Sequence, residues 1–104
     1  MTPKEIMQCA IAHYGAKSQI DMAIEEMSEL TKALLKHRRA EAVTPLKVEH
    51  LTAVSNARSN MIEEIADVEI MIEQLKIMFH CEEKVQEWKD KKIAKLQKRL
   101  EGQE

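Results

Sequence analysis

From Val48 to Leu100 neither glycine nor proline interrupts the chain, and apolar residues recur at intervals of three and four. That combination is the signature of helix. A single unbroken helix over this stretch would be a rod of roughly 80 Å at 1.5 Å per residue, which a lone domain has little reason to build. A turn around His80 to Glu83 is therefore expected. It divides the stretch into a long helix that buries Leu51, Val54, Met61, Ile65, Val68, Ile72, Leu75 and Phe79, and a last helix that turns Val85, Ile93, Leu96 and Leu100 inward. Lys89, Lys91, Lys92, Lys95, Lys98 and Arg99 ring the remainder of that last helix.

The first part of the chain is punctuated more often. Thr2-Pro3-Lys4-Glu5 reads as a helix start, with a threonine cap, a proline at the first helical position and a glutamate three residues after the cap. This helix should run to Ala12 or His13, and Gly15 can close it in the left-handed conformation. Ser18 with Asp21 offers a second capping box, so the next helix is expected to begin near Ser18. Its stripe is Ile20, Ala23, Ile24, Met27, Leu30 and Leu34, and the cluster Lys36-His37-Arg38-Arg39 suits the negative end of its dipole, placing the end near Arg39 or Ala40. Thr44-Pro45 repeats the cap-and-proline signature before the long helix. The expected fold is all-α, a single domain spanning residues 1–104 built as a four-helix bundle with a long third helix.

Composition agrees and sets limits. Two glycines, two prolines and three aromatics among 104 residues, with 44% hydrophobic residues, disfavour a β-sandwich and a disordered chain alike. A chain this short buries a modest core, so a partner subunit would help it. The net charge of −2 provides no general attraction to nucleic acid, although positive charge collects near the end. No apolar window is long enough for a membrane span and the N-terminus lacks a secretory pattern, so a cytoplasmic protein is expected. Cys9 and Cys81 stand far apart, outside any Cys-x-x-Cys spacing, and read as buried thiols. The seven methionines read as adaptable core filling.

Two carboxylate pairs carry the chemistry: Glu26 with Glu29, and Glu64 with Asp67. Residues three apart on a helix face the same way within one turn. Such pairs are usually just solvated, but Glu26 is flanked by Met22, Ala23 and Leu30, and Glu64 by Met61 and Val68, so both lie along the margin of a buried stripe. When the stripes pack, the four carboxylates converge, and any two like charges ~4 Å apart at an effective dielectric of ~20 repel by ~4 kcal/mol. A cation is the natural counter-charge. All-oxygen ligands select a hard ion, which favours Mg²⁺ over Zn²⁺, with Mn²⁺ as a possible substitute. A di-iron centre would need Glu-x-x-His pairs, and none of His13, His37, His50 and His80 has a glutamate three residues before it. These histidines are expected at the surface or at caps.

The strings Glu25-Glu26-Met27-Ser28-Glu29-Leu30 and Glu63-Glu64-Ile65-Ala66-Asp67-Val68 resemble the paired acidic signature of the MazG-like all-α nucleoside triphosphate pyrophosphohydrolases. The upstream Tyr14-Gly15, Gln19 and Glu25 are similar to small phage and bacterial members, and the resemblance covers residues 13 to 79. It implies that Glu26, Glu29, Glu64 and Asp67 bind Mg²⁺, and that Glu25 positions or deprotonates a water attacking the α-phosphorus while pyrophosphate leaves. Catalytic roles thus fall on Glu25 and Glu26. It implies phosphate contacts from the last helix, where Trp88, Lys92, Lys95 and Arg99 recur along one face, with Lys92 and Arg99 foremost. Of the three aromatics, Trp88 is the better candidate for stacking on a base, and Phe79 reads as core. Gln19, seven residues before Glu26, could touch a base, a sugar hydroxyl or a metal-bound water, or simply cap its helix. The resemblance also implies a homodimer or a dimer of dimers, and a role in clearing unwanted nucleotides. Residues 39–60 look like an insertion relative to compact members, which leaves substrate choice open.

Two other readings compete. In one, the long helix drives dimerisation of an interaction module and the acids are merely exposed, with no metal dependence. In the other, the basic last helix binds nucleic acid with strongly salt-dependent affinity, a reading weakened by the interleaved Glu87 and Asp90.

Overall fold

The computed structural model describes residues 1–42 and 48–102. Helix α1 spans Pro3–Tyr14, α2 Ala16–Ala42, α3 Val48–Met78 and α4 Glu82–Leu100, and no strand occurs among the described residues. None of the helices is long and apolar enough to cross a membrane. The expected Thr44-Pro45 start lies outside the described residues.

Local chemistry explains most of the boundaries. The hydroxyl of Thr2 accepts from the Glu5 amide at 3.1 Å while the Glu5 carboxylate accepts from the Thr2 amide at 3.3 Å, completing the capping box. Gly15 does close α1, its amide donating to the Ile11 carbonyl at 2.9 Å, but with φ 91° and ψ 148° it is not in the left-handed helical conformation. The extended ψ turns the chain sharply, and the Gly15 carbonyl accepts from the Gln19 amide at 3.1 Å. Helix α2 therefore starts at Ala16, and Ser18 lies within its first turn and not before it, so Ser18 is not the expected N-cap. At its other end α2 continues to Ala42, past the expected stop at Arg39 or Ala40, and Glu41 Oε1 lies 3.2 Å from His37 Nε2.

The turn between α3 and α4 falls where the sequence places it. His80 takes a positive φ of 50°, its amide donates to Ile77 and the Cys81 amide donates to Lys76, the pairing of a Schellman motif. Histidine is one of the few side chains other than glycine that visit this conformation. Glu82 and Glu83 then sit in the first turn of α4, where negative charge is favoured.

Only five residues separate α2 from α3, too few to bring the chain back along a 27-residue helix, so the two form an antiparallel hairpin. Its seam follows a heptad spacing. On α2 the seam comprises Gln19, Ala23, Glu26, Leu30, Ala33, His37 and Ala40, and on α3 it comprises His50, Val54, Ala57, Met61, Glu64, Val68 and Met71; all of these are buried or half-buried. This corrects the expected core. The apolar stripes share only part of the seam and otherwise lie beside it: Ile24, Met27, Leu34, Leu51, Ile65, Ile72 and Phe79 are exposed, Phe79 at 62%. Counting apolar residues at three-and-four spacing favours the bulky positions, whereas close helix approach selects the small ones. Ala23, Ala33 and Ala57 are the tightest points, each no more than 4% exposed.

Nor does the single chain close into a four-helix bundle. Helix α1 leans on the open end of the hairpin, against both α2 and α3, while α4 packs on α3 alone apart from a Lys4–Glu82 ion pair at 3.5 Å. Every residue of α4 beyond Val85 is exposed, including the expected inward Ile93, Leu96 and Leu100. Cys9 is exposed, not buried, and Cys81 is half-buried at the α3–α4 turn. The radius of gyration is 18.2 Å, against about 13 Å for a compact chain of this length.

Candidate metal centre

Glu26 and Glu64 take facing positions of the hairpin seam, and Asp67 stands one turn beyond Glu64 at its edge. Carboxylate oxygens of the three lie within 4.8 Å of one another, and all three residues are half-buried. The rigidity of the seam fixes this convergence: Leu30 and Val68 follow Glu26 and Glu64 by four residues on the same faces and hold the backbones together.

The electrostatics are unfavourable without a counter-charge. Glu64 Oε2 is buried and accepts no hydrogen bond from the described residues. Its burial first, then the charges of Glu26, Asp67 and Glu29, and finally a side-chain hydrogen-bonding interaction with Glu26, hold the Glu64 carboxyl above the usual carboxylate range. A buried orphan acceptor among three carboxylates, with no cationic side chain in the group, fits a hard divalent cation. The donor set is all oxygen and includes no histidine. His37 and His50 lie further along the same seam, roughly 16 and 21 Å from the carboxylates at 1.5 Å per residue. They are half-buried, which corrects their expected surface placement, and His50 Nε2 is buried without a partner among the described residues. His13 stacks edge-on against Tyr14, and His80 closes α3.

The remaining candidates divide. Glu29 sits at the margin, 3.5 Å from Lys32, near enough to act on Glu64 but outside the converging three. Glu25 is exposed on the same helix. Gln19 is 7% exposed in the seam, two turns before Glu26, and its backbone N–H donates to the Gly15 carbonyl within the helix, so it acts neither as a cap nor as an open contact in the single chain. Trp88 is exposed with the ammonium groups of Lys91 and Lys92 at 5.1 and 6.0 Å from its ring centre. Trp88, Lys92, Lys95 and Arg99 lie on the part of α4 that touches nothing of α2, so the chain does not gather them onto the carboxylates.

Gln74 escaped the sequence reading. It is 5% exposed, with Oε1 buried and unpartnered, and follows Asp67 by seven residues as Glu26 follows Gln19. That shared heptad interval was the available signal. A groove of about 710 Å³ runs along the back of α3 between Met7, Ile70, Lys76 and Val85, and none of the three carboxylates lines it. No family model, curated protein or solved structure shows significant similarity to this chain.

Proposed function

We propose that the chain is a divalent-metal-dependent nucleoside triphosphate pyrophosphohydrolase that converts ribo- or deoxyribonucleoside triphosphates to monophosphates and pyrophosphate. The observation that carries this reading is the convergence of Glu26, Glu64 and Asp67 around the buried, unpartnered Oε2 of Glu64. Its support from sequence is the resemblance of both acidic strings to the MazG-like pyrophosphohydrolases.

In this reading Glu26, Glu64 and Asp67 hold Mg²⁺, or Mn²⁺ in its place, and Glu29 adds charge at the margin. When bound, the ion offsets negative charge developing on phosphoryl oxygens and acidifies coordinated water. Glu25, exposed beside the cluster, orients the attacking water and takes its proton. A new bond forms from water oxygen to the α-phosphorus as the bond to the bridging oxygen breaks, and pyrophosphate departs. Lys92 and Arg99, which the single chain does not gather onto the carboxylates, are the candidates for contact with phosphate oxygens, and Trp88 for stacking on the base. The protein works as a homodimer or dimer of dimers in the cytoplasm, clearing unwanted nucleotides.

The test incubates purified protein with a panel of ribo- and deoxyribonucleoside triphosphates, with and without Mg²⁺, and separates products by anion-exchange chromatography. Monophosphate and pyrophosphate forming only with metal support the reading and rank the bases. Silence across the panel from a folded sample shifts the assignment to a second reading, a helical self-association module, which the exposed apolar residues of α2 and α3 favour.

A further inference from the structure

Glu29 on α2 and Asp67 on α3 flank the seam on the same side of the hairpin, and because the helices run oppositely, a step along each chain leads away from the carboxylates in opposite directions. Seven residues on from Glu29, towards the closed end, stands Lys36, exposed, with Lys32 on the way. Seven residues on from Asp67, towards the end on which α1 leans, stands Gln74. The carboxylates thus have ammonium groups to one hand and an amide to the other, the outer members about 10 Å away at 1.5 Å per residue.

Gln74 is a poor choice for packing alone. It is 5% exposed, and its Oε1 is buried and accepts no hydrogen bond from the described residues. None of its neighbours at helical spacing, Ile70, Met71, Ile77 and Met78, carries a side-chain N–H. A buried acceptor left so is costly, and an apolar residue of the same length would avoid the cost.

We infer that Gln74 reads the base of the triphosphate, its Oε1 accepting from the exocyclic amino group of adenine or cytosine, with the substrate lying lengthwise along this side and its pyrophosphate towards Lys36. The inference rests on the hydrolase reading and deepens it. With the α-phosphorus at Glu26, Glu64 and Asp67, two turns of helix is the span of a ribose and a base, which brings the base edge to Gln74. Charge sets the direction: ammonium groups attract the outer phosphates, whereas the apolar setting of Gln74 excludes them. The orphan oxygen selects the base. Adenine and cytosine project an amino donor; uracil and thymine hold their ring N–H between two carbonyls, and guanine has a carbonyl where adenine has the amino group, so these bring further acceptors against an acceptor. The element packed over this end is α1, which has no buried residue and is joined to α2 through Gly15 alone, so it lifts from Gln74 without parting the seam. Nothing from α4 is needed.

The test compares kcat/KM with Mg²⁺ for ATP against purine riboside triphosphate, which lacks the amino group, and for CTP against UTP. The native chain should favour the amino-bearing member of each pair by about 10- to 100-fold, the range set by one unmet buried acceptor. Gln74→Met, apolar and of similar length, should bring both ratios close to one, a change that a merely structural role would not produce. Lys36→Ala should weaken triphosphate binding about two- to fivefold and leave inhibition by AMP unchanged. Turnover without preference in the native chain, or a preference that folded Gln74→Met keeps, overturns the base contact and leaves the hydrolase reading standing. Equal effects of Lys36→Ala on triphosphate and AMP overturn the lengthwise placement. Should Gln74→Met fail to fold, the two native ratios decide alone. Absence of turnover from the folded native chain removes the hydrolase reading, and calorimetric titration with adenosine and purine riboside then decides the Gln74 contact: tighter adenosine binding by the same factor supports it, and equal or undetectable binding overturns it.

Discussion

Glu26 and Glu64 face each other across the α2–α3 seam, at positions a helical hairpin ordinarily fills with apolar side chains, and carboxylate oxygens of the two approach within 4.8 Å. Two acids in such a layer weaken the hairpin unless one is protonated or a cation joins them. The first two predictions follow from that pair.

Glu64 is held above the ordinary carboxylate range in the folded chain by burial and by Glu26, Asp67 and Glu29. The folded state therefore binds more protons than the unfolded state in the window between the two values. Stability from this group is fully present below the unfolded carboxylate value and is lost as pH rises through the folded one. Thermal melts of metal-free protein, compared with Glu64→Gln from about pH 4 to pH 8, should show the native chain losing ground to the variant as pH rises. Mg²⁺ binds the deprotonated form, so its stabilising effect on the native chain should grow over the same window and be absent in Glu64→Gln. A pH-independent difference between the two proteins would show that Glu64 titrates normally.

Glu64→Ala should lower Mg²⁺-dependent triphosphate turnover by about 100-fold or more, because a metal-held charge contributes several kcal/mol to such a transition state and each 1.36 kcal/mol is tenfold. Circular dichroism should show the helices retained, since the change removes a carboxylate and leaves Leu30, Met61 and Val68 in place. Turnover at the native rate would remove Glu64 from the chemistry.

What the sequence made legible was local. Thr2 and Glu5 announce their capping box, the boundary at His80 follows from a length argument, and the two acidic pairs stand at a spacing that a helix reads directly. Helix packing was less legible, because Ile24, Met27, Ile65 and Ile72 form as good a stripe on paper as Ala23, Ala33, Ala57 and Met71. Periodicity gives a face to within a residue, but alanines and a glutamine line the closest contact while bulky aliphatics flank it. Ala16 opening α2 was hidden for another reason: Gly15 serves both helices through its amide and its carbonyl, so no separate cap is required. The isolation of α4 is a property of the assembled shape and has no signature in its own amphipathic pattern.

Ala33 is 3% exposed in the seam between α2 and α3. Ala33→Leu overpacks that point and should cost about 1–3 kcal/mol. At about 4–8 °C per kcal/mol for a domain of this size, the melting midpoint should fall by several degrees or more. Ala94→Leu, on exposed α4, should stay within about 0.5 kcal/mol of the native chain. Equal effects would mean that the seam tolerates a wider separation than its alanines suggest.

Gly15 links α1 to α2 at φ 91° with open space around its α-carbon. An added methyl group meets no neighbour, so the penalty of Gly15→Ala is the backbone conformation alone, of order 1–3 kcal/mol. The expected result is a lowered midpoint in urea titration with an unchanged slope, since the surface exposed on unfolding is the same. An unaltered midpoint would indicate that the turn relaxes to a negative φ without loss.

Lys92 lies on exposed α4, at 6.0 Å from the centre of the Trp88 ring. Helix α4 packs on α3 and does not approach α2, so any contact between Lys92 and a triphosphate is made at the solvent margin. An exposed charge pair contributes up to about 1 kcal/mol, so Lys92→Ala should raise KM by no more than about fivefold. Because such a contact is equal in ground and transition states, kcat should be unchanged. Steady-state kinetics at two ionic strengths make the comparison, the native chain losing more affinity to added salt than the variant. A collapse in kcat would instead mean that α4 moves over the carboxylates when substrate binds and that Lys92 meets charge developing on the phosphates.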